Sequence, residues 1–261
     1  MAYFFKLPAI TELTIGQQAA LNEPNAIAIS GGPGTGKSVV SLWRHIRNYG
    51  TGSKKSLLLT YTKTLETYLA ASARSENGNA GDAVDRTYWW TTHHVANYDE
   101  IIVDEAQDSS EIQNSIFDKL IECGLKNIEL VGDPYQSLYE WRDAKPELFI
   151  AKYSDPNWLG LSLNHNRRSV QRIIDCFSII RNSEENKIVT HGVNDLKIPI
   201  IIYRYNELNH SSVIQHFEEL CIENKFLKNH IVVRGNTLKR KLIGDSSDVY
   251  PWKELVPLSI I

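Results

Sequence analysis

"SGGPGTGKSVV", residues 30–40, decides how the rest of the chain is read. Its four glycines and one proline suit neither a helix nor a strand. Yet "NAIAIS" (25–30) before it is β-rich, and "KSVVSLWRHIRNY" (37–49) after it carries apolar residues at helical spacing. Strand, glycine-rich bend and helix in succession are the setting of the pattern G-x-x-x-x-G-K-[ST], matched here by Gly31, Gly36, Lys37 and Ser38. Gly31, Gly32, Pro33, Gly34, Thr35 and Gly36 would curl the backbone around a phosphate chain with N–H groups inward, and the helix N-terminus would add donors and partial positive charge. Lys37 would neutralise the β- and γ-phosphates, and the Ser38 hydroxyl would ligate Mg²⁺. The bland alternative, a glycine-rich turn with an incidental lysine, leaves the flanking strand and helix unexplained.

A bound triphosphate also needs carboxylates at the end of a neighbouring strand. "EIIVDE" (100–105) supplies them. Asp104 would hold Mg²⁺, directly or through water, and Glu105 would orient and deprotonate the attacking water. Acidic pairs after strands are commonly just solvated, but this one accompanies a phosphate loop. Together the two segments imply binding and hydrolysis of a nucleoside triphosphate.

Elsewhere, short apolar runs alternate with helical patterns. Strands are expected at "SLLLTYT" (56–62), "TYWWTT" (87–92), "IELVGD" (128–133), "LGLSLN" (159–164), "IPIIIYRY" (198–205) and "HIVVRG" (230–235). Helices are expected at "LETYLAASA" (65–73), 110–122, "SVQRIIDCFSIIRN" (169–182) and near 208–224, with "ENGNAGD" (76–82) a loop. This alternation argues for an α/β protein with a mainly parallel sheet. "YSDPNW" (153–158) is the best boundary between two lobes. A net charge of −3 provides no global basic field, so any nucleic-acid site must be local. Cys123, Cys176 and Cys221 lack metal-ligand spacing and read as reduced, buried thiols. No apolar run reaches the roughly 18 residues of a membrane span, so a cytoplasmic protein without membrane partners is expected.

At "DEAQD" (104–108) and "VGDPYQSLYEWRDA" (131–144) the chain resembles motifs II and III of superfamily 1 helicases of the UvrD/Rep type. "LTIGQQAAL" (13–21) resembles their glutamine motif, "TYTKTL" (60–65) motif Ia, "TTHH" (91–94) the T-x-H element, and "LNHNRRS" (163–169) motif IV. These elements occur in family order over roughly residues 11 to 170. The resemblance implies a RecA-like ATPase lobe (residues 1–157) followed by part of a second RecA-like lobe (158–261), with ATP and Mg²⁺ between them. It places Gln17 at the adenine, Gln136 as γ-phosphate sensor, Arg168 as the γ-phosphate arginine, and Arg167 where the family stacks a tyrosine on the base. It also assigns contacts with single-stranded DNA, or RNA, to Tyr61, Thr92, His93, Trp141 and Arg142. Trp89 and Trp90 read as packing residues, and Tyr139 fits either role.

Two further departures from the family are evident. Only about forty residues separate motif Ia from Asp104, where UvrD/Rep enzymes insert a helical subdomain. Nothing resembles motifs V and VI, so a short second lobe is expected. The expectation is thus an ATP-dependent, strand-stimulated motor. The alternatives are an ATP-sensing regulatory protein docking to a nuclease or other effector, half of a split helicase completed by a partner, and a decayed scaffold.

Overall fold

The computed structural model describes residues 6–193 except 51, 53, 94–97, 126 and 182–186, together with 195, 215, 216, 219, 222 and 223. The chain divides into two compact units, one running to residue 196 and the other spanning 197–258. In the second, positions 215, 216, 219, 222 and 223 are helical. The strands expected at 198–205 and 230–235, Cys221 and the rest of the expected second lobe lie outside the described residues.

The first unit is built on a six-stranded, wholly parallel sheet. α1 (Ile15–Asn22) leads to β1 (Ile27–Gly31), then α2 (Lys37–Gly50), β2 (Ser56–Thr60), α3 (Lys63–Glu76), α4 (Gly78–Asp82) and β3 (Val84–Arg86). α5 (Thr87–His93), β4 (Glu100–Asp104), α6 (Glu111–Glu122), β5 (Asn127–Gly132), α7 (Pro146–Ser154) and β6 (Leu159–Leu163) complete it. The strand order is β3-β2-β4-β5-β1-β6, so β1 is flanked by β5 and β6. β7 (His165–Asn166) and β8 (Val189–Thr190), joined through α8 (Gln171–Arg181), form a separate parallel pair. The sheet is that of a RecA-like lobe.

The central strands are apolar on both faces because helices cover both. Leu57, Leu59, Ile101, Val103 and Leu130 pack with Trp90, Phe117 and Phe149 of α5, α6 and α7. The alternating residues Leu58 and Ile102 pack with Leu42, Ile46, Leu69 and Ala73 of α2 and α3. This two-sided burial explains why the strands read as continuous apolar runs. Helix starts are fixed locally: Thr14 and Ser110 form capping boxes with Gln17 and Gln113, Thr62 caps α3, and Pro146 opens α7.

Four sequence expectations need correction. Residues 87–92 are helical, not a strand; Thr91 returns its hydroxyl to the Thr87 carbonyl at 2.9 Å, and Trp90 packs inward. Trp89, also expected in the core, is instead exposed, with Arg86 over its ring. The 76–82 loop contains α4, capped by Asn77, whose side chain accepts from Ala80 N. Cys123 is exposed rather than buried.

The lobe boundary at 157/158 also moves. β6 pairs with β1 from Ile27↔Leu159 to Gly31↔Leu163, which makes it the sixth strand of the first sheet. "YSDPNW" is therefore the turn from α7 into β6. Among the described residues, no helix is long and apolar enough to cross a membrane.

Candidate functional site

In an all-parallel sheet the carboxyl ends of the strands share one edge, where the connecting loops gather. Here β1 delivers the glycine loop, β4 delivers Asp104 and Glu105, and β5 delivers Asp133 and Gln136. β2 delivers Tyr61, and β6 leads to Asn166–Arg168. All of these belong to the first unit.

The carbonyls of the glycine loop are turned outward, each held by a donor. Gly31 O and Gly32 O accept from Lys37 Nζ at 2.8 and 3.3 Å, and Gly32 O also accepts from Thr35 Oγ1 at 2.8 Å. Pro33 O accepts from Asn166 Nδ2, Gly34 O from Arg167 N at 3.0 Å, and Thr35 O from Gln17 Nε2 at 3.0 Å. Gly36 O accepts from Val40 N at 3.2 Å, continuing into α2. Planar peptides with their carbonyls facing out turn their N–H groups toward the loop's interior, as an anion requires. Gly36 adopts φ +82°, and a Cβ there would collide with the Gln17 amide.

Lys37 is buried, which pushes its pKa down; the carboxylates of Glu105, Asp133 and Asp104 oppose that, and Arg168 adds to it. One ammonium thus feels three acidic groups from two strand ends and an arginine from the turn after β6. Asp104 is 1% exposed, and neither carboxylate oxygen has a hydrogen-bond partner of good geometry. Burial and then Glu105 push its carboxyl up to about 7, while the Ser38 hydroxyl and Lys37 act the other way. Two unpartnered, buried carboxylate oxygens facing a serine hydroxyl fit a hard divalent cation. Among the described residues, no group of three or more His, Cys, Asp or Glu makes a self-sufficient metal site. A cation here would take oxygens from its ligand and solvent as well.

Glu105 sits at φ 58° and ψ 43°, a left-handed conformation that costs a non-glycine residue about 1–3 kcal/mol. Its Oε2 accepts from Gln107 Nε2 at 2.7 Å, and Gln107 Oε1 accepts from Asp133 N at 3.0 Å. Asp133 Oδ2 in turn accepts from Gln136 Nε2 at 2.8 Å. A continuous chain of hydrogen bonds therefore joins Glu105 to Gln136. Gln107 and Asp133 were missed in the sequence, although one stands inside "DEAQD" and the other inside "VGDPYQS". Asp108 lies beside Glu105; burial and then that neighbour push it up to about 6, against the pull of Leu138 N–H and the Ser137 hydroxyl. It connects the acidic centre to the loop bearing Tyr139 and Trp141.

That loop assembles the aromatic residues. Tyr61 and Tyr139 stack with ring centroids 4.6 Å apart, Tyr139 lies 6.4 Å from Trp141, and the Arg142 guanidinium sits 4.5 Å over the Trp141 ring. Trp141 is 72% exposed, as its polar flanks Glu140 and Arg142 suggested. Tyr139 is thus part of the aromatic surface. Thr92 and His93 fall in α5, but their side chains lie outside the described residues, as does His94. The residues at the carboxyl end of β3 are Thr87, which is buried, and the exposed Tyr88 and Trp89.

Gln17 is 4% exposed, and its Oε1 accepts from Thr14 N at 2.9 Å. Its amide is held at both ends within the protein, leaving one N–H and one acceptor position for a ligand. Arg167 donates through Nη2 to Glu12 O at 2.5 Å, which ties the turn after β6 to the segment before α1. Arg168 is exposed, and its charge reaches Lys37 and Tyr68.

Residues 86–157 match the UvrD/REP helicase N-terminal domain. That match takes in Asp104–Asp108 and Gly132–Gln136, while the glycine loop precedes it. A probable DNA helicase II homolog of Mycoplasma capricolum is 36% identical over 108 residues, covering 39% of this chain and 14% of that protein. The larger of the two ATP-dependent helicase/nuclease matches, from Ruminiclostridium cellulolyticum, is 32% identical over 153 residues, 57% of this chain and 11% of that protein. The other, the helicase/nuclease protein of the same name from Lactobacillus delbrueckii, is 35% identical over 102 residues, 39% of this chain and 8% of that protein. The chain therefore spans only a small fraction of the relatives it matches.

Proposed function

We propose that this chain, a relative of the UvrD/Rep helicases, binds ATP with Mg²⁺ in the glycine loop and hydrolyses it when single-stranded DNA lies on its aromatic surface. The observation that carries the proposal is the loop itself. Its carbonyls are tied outward and its interior faces Lys37, Asp104 and Glu105. Mg²⁺ held by Ser38 and Asp104 would offset charge on the β- and γ-phosphates. Lys37 would leave its carbonyl partners for phosphate oxygens, and Glu105, aimed by Gln107, would take the proton of the attacking water. Gln136 would report the γ-phosphate through Asp133. Arg168 would stabilise charge in the transition state.

Tyr61, Tyr139, Trp141 and Arg142 offer stacking faces and one cation, which suits sequence-independent binding. Asp108 places this surface one residue contact from Glu105. Phosphate release with ATP, with and without oligo-dT or oligo-rU, tests the proposal. Strand addition should raise turnover, and Lys37→Ala should abolish it. Nucleotide binding with no stimulation by any strand would overturn the motor reading. Trp141→Ala should raise the strand concentration for half-maximal stimulation roughly tenfold or more. An unchanged value would remove Trp141 from the contact surface.

Arg167 and Gln17 flank the end of the loop away from Asp104, where the nucleoside would emerge, and Arg167 would cover the base. Arg167→Ala should weaken ATP about three- to tenfold, while pyrophosphate still competes as before. Equal weakening of both would show that Arg167 acts on the loop and not on the base.

A second reading is favoured by the relatives' names. Two matched proteins are named for a helicase/nuclease, so this chain would be an ATP-sensing component that docks to a nuclease or completes a split helicase in the cytoplasm. A partner captured only with ATP would support it, and full unwinding by the isolated monomer would exclude it.

A further inference from the structure

The turn after β6 does more than carry Arg167 and Arg168. It closes the outer side of the phosphate loop, and one side chain makes the closure. Asn166 is completely buried. Its Nδ2 donates to Pro33 O, and its Oδ1 accepts from Arg168 N at 2.8 Å and Ser169 N at 2.7 Å. Its own carbonyl accepts from His191 N at 2.7 Å, so the residue is also anchored beside β8. Gly34, at φ +78°, fits against this turn so closely that a Cβ would lie 2.7 Å from Arg168 Cβ and 2.9 Å from the Asn166 amide.

Peptide planarity makes the first of these bonds consequential. The Pro33 carbonyl and the Gly34 N–H belong to one rigid unit and point in opposite directions. Holding the carbonyl outward therefore holds the N–H inward, toward the position of a bound phosphate. If the carbonyl swung in, an anion would lose a donor and meet the negative end of a dipole.

We infer that Asn166 is a positioning residue that sets the crown of the phosphate loop with one end of its amide and places Arg168 with the other. A carboxamide serves both ends because it is neutral and presents donor and acceptor together. Occupancy of the loop and placement of the arginine are thereby linked through a single side chain. The inference rests on the nucleotide reading above, and its test separates the two.

Asn166→Asp keeps the acceptor for Arg168 N and Ser169 N but removes the donor to Pro33. Asn166→Ala removes both. Equilibrium binding of ADP and of a non-hydrolysable ATP analogue is measured for the full chain and each variant, with circular dichroism confirming the fold. ADP affinity should fall about tenfold in both variants, the consequence of freeing a buried carbonyl. The preference for the ATP analogue over ADP should stay near the parent value in Asn166→Asp and collapse in Asn166→Ala, because only the latter releases Arg168. A lower melting temperature with both affinities within twofold of the parent would make Asn166 merely structural and overturn the inference. A retained preference in Asn166→Ala would sever the link to Arg168. Should alanine unfold the chain, the aspartate variant's ADP affinity decides the loop half, and Arg168→Ala made in the aspartate background decides the other. There the ATP preference should collapse, and its persistence would overturn the link. If the parent chain binds neither nucleotide, the nucleotide reading fails instead.

Discussion

Glu105→Gln is expected to leave ATP binding intact while reducing strand-stimulated turnover on the order of a hundred- to ten-thousandfold, the range supplied by a general base. The amide is nearly isosteric with the carboxylate and can still accept from Gln107 Nε2, so the chain of hydrogen bonds to Gln136 survives. What disappears is the basic oxygen. The left-handed backbone at Glu105 allows a second readout. Glu105→Gly removes both carboxylate and strain, so it should be as inactive as Glu105→Gln yet melt no lower than the parent chain. Stopped-flow nucleotide binding, phosphate release and thermal melting together check this. A turnover loss below about fivefold would place the base elsewhere. Equal losses in binding and turnover would make Glu105 a ligand-holding residue.

The parts of this site that were legible in the sequence share one property: each residue's chemistry is tied to its neighbours by short spacing. Lys37 and Ser38 follow a glycine bend at the start of a helix, and Asp104 and Glu105 end an apolar strand. Such segments announce themselves before any folding is known. The resemblance likewise placed Tyr61, Trp141 and Arg142, which the fold brings together through Tyr139. Roles that depend on pairing across the chain were hidden. Asn166 meets Pro33 across 133 positions, and Gln107 meets Asp133 across 26. A polar residue in a motif gives no hint of which distant backbone group it will satisfy. Residues 87–93 were misread because tyrosine, tryptophan and threonine favour strands, whereas burial of Thr87 and Trp90 selects a helix. Leu159–Leu163 was assigned to another lobe because "SDPN" has the composition of a linker. In the fold Asp155 accepts from Asn157 N at 2.8 Å, shaping a tight turn that returns the chain to the edge of β1.

The second large effect concerns the support of the phosphate loop. Arg44 lies two turns beyond Lys37 on α2 and is fully buried between Glu100 of β4 and Glu129 of β5. Its guanidinium reaches Glu100 Oε1 at 2.5 Å, Glu129 Oε2 at 3.3 Å and the Ala20 carbonyl at 2.9 Å, while Asn48 adds a hydrogen bond to Glu100. One cation thus fastens the helix that begins with Lys37 to two central strands. Arg44→Met is expected to lower stability by roughly 3–5 kcal/mol, because two carboxylates would remain buried without their counter-charge. The sign of its pH dependence follows from Glu129. Burial, with Glu100 and Asp104 adding to it, pushes that carboxyl up to about 7 even though Arg44 and Ser41 pull the other way. A folded pKa above the unfolded one means the native state holds the proton more tightly. This group's contribution is therefore present below the unfolded pKa and is lost as pH rises to about 7. Without Arg44 the carboxyl rises further, so the deficit of Arg44→Met should be larger at pH 8 than at pH 5.5. Urea denaturation at the two pH values measures it. Combining Arg44→Met with Glu100→Gln and Glu129→Gln should recover much of the loss, since the unpaired charges leave together. A deficit under about 1 kcal/mol, or one that is the same at both pH values, would show that the cluster does not bear on α2. The loop's geometry would then have to be held by Gln17, Asn166 and the glycine backbone alone.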